Sequence, residues 1–510
     1  MDDKIIVSNR AALTAKYGSA GLSKIQRAVA NLVTADAKRA IKSRLVFLDD
    51  AAAMKRFRGK AVARPTDPRQ NKDAIDAVFR TANPEYLMIL GAPDVVPHQN
   101  IRNPAYDPPD DPDESALGDL PYACDVEYSR DIAAFKGPTR VVGRMPDLTG
   151  AKEPSHLLAL IAIAEKYRSR AVTDYGSYFG LSTHSWRKSS ELSLFNIFGN
   201  SGAIALAPPK GPSHPAKQLA PLAHFINCHG GLADPAFYGE KGNSQPKSLT
   251  SKTVTKRIKP GTVAAVECCY GAELYDSVTL SLPIPICQHY LVQGAFGYFG
   301  SSTIAYGPEE GNGAADLIAQ YFLSAVLDGA SLGRAALLAR QRFVQQTAEL
   351  DPVDLKTLAQ FNLLGDPALH PAIVPSATGV PRGDNAEESI RQARRERRAK
   401  LHATGEFLQQ TKPTASQKAR KVRKSSTVRK ALINIARTAG IGTRKDFTAF
   451  DVKAPKGARP RGTKATPVAS RYYVAVYRPG KKPGADSRSV AVVAKEVGSR
   501  IVGYRIYKER

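Results

Sequence analysis

Cysteine is scarce in this chain. Five occur among 510 residues: Cys124, Cys228, Cys268, Cys269 and Cys287. The number is odd and two of them are adjacent, which argues against a disulfide framework and fits a reducing compartment. No C-x-x-C pair is present, so a structural zinc site has little support. Long apolar runs are missing as well, and nothing approaches the roughly 18–20 residues that span a bilayer. The opening Met-Asp-Asp-Lys-Ile-Ile-Val is acidic, with a short apolar run, unlike the basic start and longer apolar stretch of a secretory signal. The expectation is a cytoplasmic protein with no transmembrane segment. No repeat of solenoid length occurs either.

Acidic residues run short in one region. The chain carries a net charge of +26. Residues 381–510 hold 33 Lys and Arg against 10 Asp and Glu, a net +23, and the preceding 380 residues hold 40 against 37, a net +3. The chain is thus a nearly neutral body with a strongly basic tail. Hydrophobic residues make up 43%, enough for sizeable cores. The length alone suggests about two to four domains.

Hydrophobic patterning divides the chain into four expected units: 1–170, 171–374, 375–470 and 471–510. In the first, Ala28–Ala40 has helical spacing, Leu45–Leu48 and Tyr86–Leu90 read as strands, and Arg140–Val142 leads to a helix over Ser155–Arg168. The second alternates strand-like runs with helical ones. The strands are Ser177–Ser182, Ala203–Leu206, Ala223–Asn227, Val263–Val266 and Ala295–Gly300. The helices are Ser190–Phe198, Pro285–Val292, Ala314–Leu327 and Leu332–Gln346. Such alternation predicts an α/β fold, a mostly parallel sheet with helices on both faces. Active residues in such sheets collect at the carboxyl ends of strands. The third unit contains a charged helix over Ala386–Leu401, a second over Val428–Ala439, and a Pro/Gly/Lys linker over 453–469. The last forty residues alternate as strands, Tyr472–Tyr477, Val490–Ala494 and Ile501–Tyr507. They form a small β element or add to a neighbouring sheet.

Two motifs carry chemistry. In Ala223-His-Phe-Ile-Asn-Cys-His-Gly-Gly231 an apolar strand runs into His229 and two glycines. Gly230, with no Cβ, leaves its N–H open to a substrate oxygen. In Thr262-Val-Ala-Ala-Val-Glu-Cys-Cys-Tyr-Gly271 a second apolar strand ends in a cysteine pair. A thiolate is the nucleophile, and a nearby imidazole makes it available near neutral pH. Alone, each motif is as compatible with a packing histidine or a small buried cysteine. Together, strand–His–Gly followed 40 residues later by strand–Glu–x–Cys–x–Gly has the logic of the caspase signature Q-A-C-x-G with its upstream His. That frame assigns the nucleophile to Cys269, with Cys268 as the small residue before it.

At this point the chain resembles the gingipain family of caspase-fold cysteine peptidases. Gly118-Asp-Leu-Pro-Tyr-Ala-Cys-Asp125, Val141-Val-Gly-Arg-Met-Pro-Asp147, Gly294-Ala-Phe-Gly-Tyr-Phe-Gly-Ser-Ser-Thr303 and Phe361-Asn-Leu-Leu-Gly-Asp-Pro-Ala-Leu369 look like that family's segments around the dyad. The likeness covers residues 80–372. It implies a caspase/gingipain-like sheet built as two α/β subdomains, here followed by the basic extension. It also implies His229 as general base and later acid, and Gly230 and Cys269 N–H groups as the oxyanion hole, with no cofactor or metal. By the same resemblance Glu191 is the acid that would bind a basic P1 side chain. Its alternative role is a helix first-turn carboxylate favoured by the dipole. Tyr306 is a candidate aromatic wall of that pocket, or loop packing, and Ser301 a candidate substrate contact. The loop Ser182-Thr-His-Ser-Trp-Arg187 departs from the pattern, since the family has an acid there to support the histidine. His184 is the candidate orienting residue in its place.

The expected function is therefore a cysteine endopeptidase acting on a partner protein, with cleavage after Arg or Lys and self-processing within 391–430 as finer readings. The alternative is a catalytically silent binding or structural protein on the same fold. The tail's candidate partner is a polyanion, either nucleic acid or an acidic protein or membrane. A solvated extension explains its charge as well. Its tyrosines sit at strand spacing and fit a small β core.

Overall fold

The computed structural model describes residues 2–108, 110–308, 311–375, 386–416, 418–442, 446–453, 470–478 and 488–510. Of the expected linker over 453–469, only Lys453 falls among them.

A ten-stranded sheet forms the body. Its spatial order is Ser43–Phe47, Lys4–Ser8, Tyr86–Leu90, Val141–Met145, Phe361–Gly365, Gly297–Ser301, Val263–Val266, Ala223–Asn227, Tyr178–Thr183 and Ile204–Ala207. The first five run parallel to one another, as do the last five, and the halves meet antiparallel where Phe361–Gly365 pairs with Gly297–Ser301. The units expected on either side of residue 170 thus share one sheet, with Phe361–Gly365 of the second unit added to the parallel strands of the first. The short apolar run at the N-terminus is an interior strand of it. The central strands are buried along their whole length, and helices cover both faces. Helices Arg10–Lys38, Ser155–Lys166 and Ile286–Val292 pack on one core, and Ala315–Leu327, Leu332–Gln346 and Pro352–Gln360 on the other.

Two of the segments noted in the sequence meet inside the first half. The Arg144 guanidinium donates to Asp119 at 2.8 and 2.5 Å and to the Gly91 and Val96 carbonyls, and His98 Nδ1 lies 3.0 Å from Asp119. All three side chains are buried. Burial pushes the Asp119 carboxyl up, but Arg144 and His98 outweigh it and hold the group well below the usual carboxylate range.

The C-terminal region builds a second, antiparallel sheet. Its order is Tyr306–Gly307, Arg500–Glu509, Val490–Val497, Ser470–Tyr477, Thr448–Lys453 and Thr414–Ala415. The β element expected over 471–510 therefore reaches back to Thr414, and its outer strand is lent by the body. Strand alternation assigns its two faces. Tyr472, Val474, Val476, Val493 and Tyr507 pack onto the body core beside Leu350 and Val353. Tyr473, Ala475 and Val492 pack under the helix Ser426–Thr438 through Val428, Leu432 and Ile435.

Part of the tail's positive charge is committed internally. Arg505 reaches Asp351 and Asp354 at 3.3 and 3.1 Å, and Lys495 reaches Glu349 at 3.1 Å. Arg394, on the long helix Ala386–Thr411, lies 3.5 Å from Glu85. No helix among the described residues is long and apolar enough to cross a membrane.

The Asp119 cluster yields a stability prediction. Asp119→Asn leaves a buried guanidinium uncompensated and is expected to cost about 3–5 kcal/mol in denaturant unfolding. The folded chain binds the Asp119 proton more weakly than the unfolded chain. This contribution is therefore complete above about pH 5 and disappears as the pH falls below the ordinary aspartate range. The variant should accordingly lose part of the wild type's acid sensitivity.

Candidate active site

Neighbouring strands set the site. Ala223–Asn227 and Val263–Val266 pair in parallel, with Ile226 opposite Val266, so their carboxyl ends emerge side by side. His229 follows one end and Cys269 the other. Alternation sends the two adjacent cysteines to opposite faces. Cys268 packs with Ile226 and Val266, whereas Cys269 packs with Phe225 and Ala265. The Cys268 Sγ accepts from the Cys228 N–H at 3.4 Å. The Cys269 Sγ instead accepts from the Ala305 N–H at 3.2 Å and donates to the Ala305 carbonyl at 3.4 Å.

His229 is held by a carboxylate the sequence reading did not assign. Its Nε2 lies 3.1 Å from Glu240, whose same oxygen meets Arg488 at 2.7 Å. Burial would raise the Glu240 carboxyl, but the His229 hydrogen bond and the Arg488 charge hold it below its ordinary value. Glu240 is in place because the main chain of His229 exchanges hydrogen bonds with Tyr238, in both directions at 2.9 Å, two residues earlier. The Trp186 ring stands edge-on to the imidazole, 4.4 Å between centroids. His184, expected to orient His229, is turned to other partners. Its Nε2 donates to the Pro208 carbonyl at 2.5 Å, and its backbone N–H donates to the Glu240 carbonyl at 3.0 Å. It braces the backbone of Glu240 and not the imidazole.

The site is filled by Arg510 of the same chain. The N–H groups of Cys269 and Gly230 both donate to the Arg510 main-chain oxygen, at 3.2 and 3.4 Å. The Arg510 N–H donates to the Ala305 carbonyl at 3.0 Å. Upstream, Glu509 and Lys508 pair antiparallel with Tyr306 and Gly307. The Arg510 guanidinium donates to both oxygens of Asp316, at 2.8 and 2.9 Å, and to the Pro308 carbonyl at 2.8 Å. It also lies over the Trp186 ring, 4.5 Å from the centroid, a distance at which cation–π attraction operates. Arg510, Asp316, Trp186 and Cys269 are all fully buried.

Local chemistry explains the tightness. Gly230 is required by close approach, because a Cβ there would overlap the Cys269 carbonyl oxygen. Tyr270 takes a left-handed conformation, φ 54°, which turns the chain sharply after the thiol. The buried Glu267 lies beside Asp316, and burial first, then the Asp316 charge, push its carboxyl well above the ordinary value. Burial and the Glu509 carboxylate likewise push the Cys269 thiol well above its ordinary value, against the Ala305 N–H.

The three residues expected in the substrate pocket have partners of their own. Glu191 lies in the helix Arg187–Phe198 and pairs at 2.7 Å with Arg187, a half-exposed neighbour one turn away. The carboxylate that meets the Arg510 guanidinium is Asp316, in the first turn of Ala315–Leu327. The Tyr306 hydroxyl donates to Asp111 at 2.9 Å and its backbone pairs with Glu509, while the aromatic face over the guanidinium belongs to Trp186. Ser301 donates to the Thr303 carbonyl at 2.9 Å and shapes the loop after its strand. A first-turn acid on a helix already expected was the one signal for Asp316. Nothing local in the sequence ties residue 510 to residue 229.

Residues 237–372, which include Cys269, match the model of Peptidase family C25. The match covers about a quarter of the chain, and that segment is similar to the family. Among solved structures, one described as "Structure of Protease" is similar over 99% of this chain and 96% of its own, with 14% identity and a TM-score of 0.47. The Saccharomyces cerevisiae separase–securin complex is similar over 46% of this chain and 14% of its own, with 14% identity and a TM-score of 0.30. No curated protein matches the chain.

Gly307 tests the Arg510 seat. A Cβ there would overlap the Arg510 guanidinium. In a chain prepared to end at Arg510, that arginine should resist carboxypeptidase B. In Gly307→Ala it should be released rapidly, as a mass loss of one arginine. Equal resistance in both would contradict the seat.

Proposed function

We propose that the chain is a cysteine endopeptidase that cuts proteins after arginine, with Cys269 as nucleophile and His229 as its proton partner. One observation carries the reading. The N–H groups of Cys269 and Gly230 converge on a single main-chain oxygen whose residue presents a guanidinium to Asp316. An arginine held in this way is positioned as a P1 residue would be.

With Nε2 of His229 committed to Glu240, Nδ1 is the nitrogen that takes the Cys269 proton. The thiolate adds to the P1 carbonyl carbon, and the negative charge that develops on oxygen is stabilised by the Gly230 and Cys269 N–H groups. The C–N bond breaks as His229 returns its proton to the departing amine. Water then attacks the thioester, giving its proton to His229, and the acyl group leaves as a carboxylate while the thiol reforms. Glu240 is a positioning residue that fixes the ring and favours the imidazolium, with Arg488 tempering that effect. No step requires a metal or cofactor from these residues.

Substrate would add an extended strand beside Tyr306–Gly307, supplying main-chain hydrogen bonds on one side. Asp316 would take either basic side chain as charge partner, and the Trp186 face under the planar guanidinium would favour arginine over lysine. A partner protein with an exposed, extended arginine segment is the substrate class. Self-processing within 391–430 would have to use 412–425, because the helix Ala386–Thr411 cannot lie extended without unwinding. The tail's exposed lysines and arginines keep a polyanion as their candidate partner. A cytoplasmic location is part of the same reading, supported by five buried, unpaired cysteines.

A P1 scan with peptide amides tests the assignment. Arginine should be preferred, and Asp316→Ala should lower kcat/KM for arginine substrates by about 100-fold or more, in line with loss of a desolvated charge partner. Cys269→Ala should abolish turnover. A preference for arginine unchanged in Asp316→Ala would sink the pocket. Turnover surviving in Cys269→Ala would sink the mechanism.

A further inference from the structure

We propose that the C-terminal segment Lys508–Arg510 is a built-in inhibitor that keeps the enzyme latent by occupying its own substrate strand, its P1 pocket and the seat of the substrate carbonyl. This rests on the peptidase reading and adds a regulatory state to it.

The segment uses each contact that the mechanism needs from a substrate. Its main-chain oxygen takes both converging N–H groups, its arginine takes Asp316 and Trp186, and its backbone takes the edge at Tyr306–Gly307. No second peptide can use these groups while it is seated. The seat is also clamped from outside. Glu509 accepts two hydrogen bonds from Arg478, at 2.9 and 2.8 Å, and one from the Ser489 N–H at 2.7 Å. The Arg478 N–H donates to Asp110 at 2.9 Å, which ties the clamp to the body. The terminal strand Arg500–Glu509 is further paired along its length with Val490–Val497. A substrate in solution therefore competes with a segment whose effective concentration is fixed by the fold.

The seated segment acts on the nucleophile as well as on access. The Glu509 carboxylate opposes thiolate formation at Cys269, and that charge is withdrawn when the segment leaves. The device does not depend on whether residues follow Arg510. With a free carboxylate the segment is a product. With a following residue it presents a bond to Cys269, and cleavage there leaves the same product. Its removal therefore makes an active enzyme, whether by displacement of the C-terminal sheet or by trimming of the last residues.

Three forms of the chain decide the matter: one ending at Arg510, one ending at Lys508, and Glu509→Ala. Each is assayed with a fluorogenic peptidyl-arginine amide and a peptidyl-arginine chloromethyl ketone. The shortened chain should show about tenfold or more higher kcat/KM and labelling rate than the chain ending at Arg510. Glu509→Ala, which keeps every pocket residue, should lie between them. A synthetic peptide of residues 504–510 with a free carboxylate should inhibit the shortened chain, and its C-terminal amide should be turned over slowly or bind more weakly. If all three forms react at the same rate, the inhibitor is refuted while the peptidase reading stands. If none reacts although each is folded by circular dichroism, the peptidase reading fails and the inhibitor with it. If the shortened chain does not fold, Glu509→Ala alone decides, and a rate equal to that of the unaltered chain overturns the inference.

Discussion

Two backbone N–H groups meeting on one oxygen are the constraint around which the rest of this molecule is arranged. For Gly230 and Cys269 to converge, two adjacent parallel strands must end in register. The chain must then approach so closely after His229 that only glycine fits, and it must turn through a left-handed residue after Cys269. The wide sheet, covered on both faces, supplies a rigid base for this. Strand alternation alone sends Cys268 into one core and Cys269 into the other. The choice between two chemically identical neighbours is thus made by the pleat.

Electrostatics around the convergence point are divided between two carboxylates with opposite tasks. Glu240 stays ionised because an imidazole and a guanidinium face it, and it acts on His229. The Glu267 carboxyl is pushed well above its ordinary value, by burial first and then by the Asp316 charge. A second ionised carboxylate at full burial would carry a large desolvation cost with no matching cation.

The sequence made the periodic parts of this picture legible. Strands such as Tyr86–Leu90, Ala223–Asn227 and Val263–Val266, and the helix Leu332–Gln346, have unambiguous runs with clear punctuation, and the structure has the same bounds. His229 and Cys269, the proposed dyad, stand out in the sequence because each follows an apolar strand. What escaped is non-local. Glu240 reaches His229 only because Tyr238 pairs with it, and Trp186 serves as a cation–π face only once Arg510 arrives. Glu191 and Asp316 look alike in sequence, as acids near the start of helices, and only the fold distinguishes a surface pair from a buried one. The basic tail is legible only in part: its charge points to an external polyanion, and the sequence does not show that Arg505, Lys495 and Arg510 pair with the body's own acids.

The account's central claim is that Cys269 attacks the carbonyl of a bound arginine. The most direct measurement is peptide mapping by mass spectrometry after reaction of the chain ending at Lys508 with a peptidyl-arginine chloromethyl ketone. The account predicts a single adduct on Cys269 that is absent in Cys269→Ala and strongly reduced in Asp316→Ala. An adduct on Cys268 instead, or equal labelling in Asp316→Ala, would contradict it.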